Sequence, residues 1–73
     1  MIEHRTRERE RLDFVTDRDG LFGAVSFAKQ TYAQYRAARR KALEEGRGYG
    51  QAYREQLIAS CIELRAFLRA VGG

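Results

Sequence analysis

From Leu21 to Leu43, side chains recur at alternating steps of three and four residues: Leu21, Val25, Ala28, Tyr32, Tyr35 and Ala42, with Arg39 in the one position of that series not held by an apolar or aromatic residue. At about 100° per residue these positions gather on one side of an α-helix. The chain contains no proline to break such a helix, and Ala, Arg, Glu, Gln and Leu, all good helix formers, are abundant. The pattern predicts an all-α fold.

A second segment with the same period follows. Tyr53, Leu57, Cys61, Leu64, Leu68 and Val71 form its seam, widened by Ser60 and Phe67. Between the two segments lies Gly46-Arg47-Gly48-Tyr49-Gly50, and glycine just past a helix end suits the left-handed conformation found there. The expected architecture is an antiparallel helical hairpin in a single small domain: helices over 19–45 and 51–70, joined by a glycine loop at 46–50. Residues 12–18 are read as an apolar patch (Leu12, Phe14, Val15) followed by the first helix cap, with Thr16, Asp17 or Asp19 at the positive end of the helix dipole. The alternative is a short β-hairpin near residues 12–27, because Asp19-Gly20 between two apolar runs is also a hairpin signal.

At 73 residues the chain buries only about 60% of the surface its unfolded form exposes, so the core is small. Cys61 is the only cysteine and His4 the only histidine, which excludes an internal disulfide and a closed zinc site. A homodimer, or order gained on a partner, is the expected compensation. Cys61 sits on an apolar seam with no activating base near it in sequence, so it reads as a small hydrophobe and not a nucleophile. The glycine loop lacks the strand and spacing of a phosphate cradle. No enzyme activity and no cofactor are expected. The longest uncharged run, Gly20 to Ala28, is far shorter than a membrane span, and residues from Glu3 onward lack a signal-peptide apolar region. A cytoplasmic protein with no membrane partner is the expectation.

Net charge is +4, and arginine supplies twelve of the fourteen basic residues. Guanidinium suits carboxylate and phosphate, so the partner should be acidic: a protein surface, nucleic acid, or a machine containing both. Arg5, Arg7, Arg9 and Arg11 alternate with other residues in a segment read as a flexible arm, residues 1–11, which would form a basic comb if extended. On the first helix Lys29, Arg36 and Arg40 make a basic stripe, Arg39 lies in the seam, and Ala24, Thr31 and Ala38 form a small-residue face. Arg47 and Tyr49 occupy the loop, while Tyr49 and Phe27 are the expected exposed aromatics. Ile58 and Ile62 lie on a second stripe with Arg54, Arg65 and Arg69, outside the main seam. The candidate partner-binding residues are thus Arg5, Arg7, Arg9, Arg11, Arg36, Arg39, Arg40, Arg47, Tyr49, Ile58 and Ile62.

In size, charge and lack of catalytic groups the chain resembles small phage proteins that bind host RNA polymerase and redirect transcription. The resemblance implies a basic, non-enzymatic regulator or adaptor docking on a larger machine. The alternatives are a nucleic-acid binder contacting phosphates through arginines, and a structural helical dimerisation module.

Overall fold

A computed structural model describes residues 2–45 and 50–72. The chain is an all-α helical hairpin: α1 spans Ile2–Glu45, α2 spans Gln51–Gly72, and the two pack against each other. The carbonyl of Gly50 accepts a hydrogen bond from the Arg54 amide at 3.2 Å and so opens α2. The remainder of the expected loop, residues 46–49 with Arg47 and Tyr49, lies outside the described residues.

α1 is bent at one residue. Gly20 has φ 78° and ψ 177°, a backbone region that only glycine occupies without strain. The helix before it, residues 2–19, folds back over the helix after it, residues 21–45, so that Arg11 reaches both Phe27 and Tyr35. The corner needs a second glycine. A Cβ on Gly23 would stand 2.5 Å from the Cβ of Asp19, so the tight passage of the chain leaves no room for a side chain there.

Three helical limbs therefore enclose the core. Leu12 from the first, Ala28 from the second and Leu64 from α2 are buried together, with Phe27, Tyr32, Tyr35, Phe67 and Leu68 packed around them. Leu64 is the largest side chain that is fully enclosed. Elsewhere the limbs approach over small residues, Ala24, Ala42 and Ala59 being completely buried. The molecule measures 39 × 21 × 19 Å.

Several expectations are corrected here. The flexible arm at residues 1–11 is helix from Ile2 onward, anchored by ion pairs to α2. The helix expected over 19–45 begins at Ile2, Asp19-Gly20 marking its corner, and the helix expected over 51–70 runs on to Gly72. The β-hairpin alternative fails because no strand occurs among the described residues: Gly20 turns the chain between two helices, and Leu12 and Val15, three residues apart, are buried on one helical face. Phe27, expected to be exposed, is half-buried against the core beneath Arg11. Among the described residues the exposed aromatics are Phe14 and Phe22, on either side of the corner, and Tyr53 on α2.

The predicted seam is also rotated. Ala28 and Ala42 are enclosed as expected, but Leu21 is exposed, while Ala24 and Thr31 from the small-residue face are buried. A limb flanked by two others must let backbones approach closely on one side, which favours small side chains there; the larger tyrosines then close the edges.

Candidate functional site

The cations fall into two groups with different surroundings. In the first, the N-terminal limb carries Arg5 and Arg9 one turn apart, and both reach the buried carboxylate of Glu63 on α2, at 2.7 Å and 3.3 Å. Arg11 grips Glu8 with two nitrogens, donates to the Tyr35 hydroxyl at 3.3 Å, and lies over the rings of Phe27 and Tyr35. Burial works against the Arg11 charge, but the hydrogen bonds and attraction from Glu8 and Tyr35 more than offset it, so its pKa is raised. Arg18 pairs with Asp19 on the surface and stacks on Phe14; its hydrogen bond holds the Asp19 carboxyl below its usual pKa. These arginines are engaged within the fold. Arg7 is exposed, at the mouth of a small polar cleft shared with His4, Glu8, Gln56 and Ser60.

In the second group the cations face solvent. Lys29, Arg36 and Arg40 stand along one side of residues 21–45 at steps of seven and four residues, and Ala33 and Ala37, also exposed, lie between them. With Tyr32 and the α2 residue Leu68 these side chains line an open groove of about 610 Å³. It continues at one end past Arg39, Leu43 and Glu44. At the other end it continues past Val25, Arg65, Arg69 and Gly72. Among the described residues no ion pair engages Lys29, Arg36, Arg39, Arg40, Arg65 or Arg69. The result is a strip of positive charge with an apolar floor, and among the described residues that line it Glu44 is the one acidic side chain.

The sequence candidates are thus not gathered into one site. Arg36, Arg39 and Arg40 lie on the groove; Arg5, Arg9 and Arg11 serve internal pairs; Ile58 is half-buried and Ile62 exposed, neither lining this groove. Reasoning from sequence left Lys29, Tyr32, Ala33, Ala37, Arg65, Leu68 and Arg69 out of the candidate set. The signal for three of them, Lys29, Ala33 and Ala37, was present: with Arg36 and Arg40 they share a face of a regular helix. Leu68 was assigned to the seam, and only the packed structure shows that one edge of it remains in the groove.

Cys61 is buried, and burial pushes its thiol pKa up, the nearby charges of Arg39 and Arg36 offsetting only part of the effect. It therefore lacks the thiolate character of a reactive cysteine. Among the described residues no group of His, Cys, Asp and Glu is placed to hold a metal ion, and no helix is long and apolar enough to cross a membrane. What the groove offers chemically is recognition: directional guanidinium donors for carboxylate or phosphate, beside a strip of alanine and aromatic surface. No protein-family model, curated protein or solved structure matches this chain.

Proposed function

We propose that this chain is a small, non-enzymatic, cytoplasmic adaptor that docks on an acidic surface of a larger macromolecular machine. Its most specific form is a regulator that binds RNA polymerase and alters transcription. One observation carries the proposal: Lys29, Arg36 and Arg40, which have no ion pair among the described residues while Arg5, Arg9 and Arg11 are neutralised internally, stand together along a groove with an apolar floor. Cations left without carboxylates in one strip steer and hold an acidic partner, giving association that weakens as salt rises.

The test is a binding titration of fluorescently labelled chain against purified RNA polymerase, beside a 30-nucleotide single-stranded DNA and the corresponding duplex. Docking on the polymerase should be saturable and fall at least tenfold in the Arg36→Glu/Arg40→Glu variant. Tighter binding to the oligonucleotides than to the polymerase, with a steep salt dependence, would assign the face to nucleic-acid phosphates. Binding to neither, together with a stable dimer in sedimentation, would leave the structural dimerisation module as the reading.

A further inference from the structure

The shape of the groove narrows the chemistry of its occupant. A phosphate backbone needs cations, and would leave the strip formed by Tyr32, Ala33, Ala37 and Leu68 unfilled. An occupant that covers both the rim and the floor must carry acidic and apolar groups in register. Arg36 and Arg40 are one helical turn apart, and Lys29 is about 10 Å further along the axis from Arg36. The exposed methyl groups of Ala33 and Ala37 allow another helix axis to approach to about 8 Å, the short end of normal helix packing. Charge complementarity and floor together therefore fit one element.

We propose that the groove receives an acidic amphipathic α-helix of a partner protein, about three turns long. Its small or apolar residues lie on Ala33, Ala37 and Leu68, and its carboxylates, spaced about i, i+4 and i+11, meet Arg40, Arg36 and Lys29. The proposal rests on the reading of this face as a docking surface and adds the class of ligand. It is the helix-in-groove mode of recognition, with charge setting register and the apolar strip supplying contact area.

The test uses four labelled probes with the full chain: a 16-residue peptide carrying that acidic pattern on an alanine–leucine helix, a scrambled peptide of the same composition, a polyglutamate of equal length, and a single-stranded oligonucleotide. Anisotropy should show the patterned peptide binding at least tenfold tighter than the scrambled one, with a gain of helical circular dichroism on binding. Ala33→Trp/Ala37→Trp should weaken the patterned peptide at least tenfold while leaving polyglutamate within about twofold, since only the floor is altered. Both positions are exposed, so the melting curve of this variant checks that the fold is intact. Equal binding of patterned and scrambled peptides, or tightest binding of the oligonucleotide, overturns the proposal. If no peptide binds but RNA polymerase still does, and charge reversal at Arg36 and Arg40 abolishes it, the helical ligand is wrong and the docking face stands. If neither peptides nor polymerase bind, both readings fall.

Discussion

Arg11 is the cation whose loss should cost the fold most, and the reason is the carboxylate it covers. Glu8 is buried, with a side chain 2% exposed, and Arg11 is its partner in a two-point ion pair. Replacing Arg11 by Met keeps the chain length and the apolar contact with Phe27 and Tyr35 but leaves Glu8 charged, enclosed and without its partner. Removing one member of a buried pair costs about 3–5 kcal/mol, and loss of the stacking on two rings adds about 1 kcal/mol. Arg11 is partly exposed and the adjoining polar cleft can admit water, so the low end, about 3 kcal/mol, is the better expectation. A chain of this length is worth roughly 4–11 kcal/mol in all, so the variant should keep roughly 1–8 kcal/mol and unfold at a clearly lower urea concentration. The assay is urea denaturation followed by circular dichroism, run on wild type, Arg11→Met, Glu8→Leu and the double variant. Glu8→Leu leaves a guanidinium that can reorient into water and should cost no more than about 1 kcal/mol. The double variant removes both charges and should recover most of the stability lost in Arg11→Met. The reasoning is refuted if Arg11→Met costs less than about 1 kcal/mol, or if the double variant is no more stable than Arg11→Met alone.

Gly20→Ala places a side chain in a backbone region that costs about 1–3 kcal/mol for other residues, and its urea midpoint should fall accordingly; an unchanged midpoint would show that the corner is not held as described. Gly23→Ala meets the Asp19 Cβ at the same corner and should also destabilise, with Asp19→Gly restoring part of the loss if that contact is the cause. Leu64→Ala, at the one large side chain fully enclosed by all three limbs, should cost about 2–5 kcal/mol, and a loss below 1 kcal/mol in the same titration would place the core elsewhere. Cys61 should react with a thiol reagent at pH 8 at least about tenfold more slowly in the native protein than in urea, because it is buried and its pKa is raised; equal rates would show that α2 opens freely.

The helical character of the chain was legible because spacing alone carries it. Steps of three and four from Leu21 to Ala42, and from Tyr53 to Val71, read directly as two helices, and the absence of proline leaves both uninterrupted. The first limb was hidden for two reasons. Its apolar content is low, so periodicity detects only Leu12 and Val15 within a charged stretch. What orders it is Glu63, a carboxylate more than fifty positions away in the chain, and no local rule identifies such a partner. The corner at Gly20 was visible as a signal and misread as to kind: Asp19-Gly20 marks the start of a helix equally well whether a loop or another helix precedes it. Only the backbone angles distinguish the two cases.

The same limit explains the arginines. An evenly basic sequence suggests an evenly basic surface, whereas here the role of each arginine depends on what the opposite limb presents to it. Where α2 and the first limb meet, buried Glu63 and Glu8 absorb Arg5, Arg9 and Arg11, so that three of the four arginines of the comb imagined for an extended segment are neutralised within the fold and Arg7 is left exposed. On the far side of residues 21–45 no other limb lies opposite among the described residues, and the neighbouring edge of α2 lines the groove with Arg65, Leu68 and Arg69. Arg7 stays exposed on the first limb, but along the groove Lys29, Arg36 and Arg40 stand together with no ion pair among the described residues, although they are no more basic in sequence than their N-terminal counterparts. The docking proposed for this chain rests on those charges, set along the groove over Ala33 and Ala37.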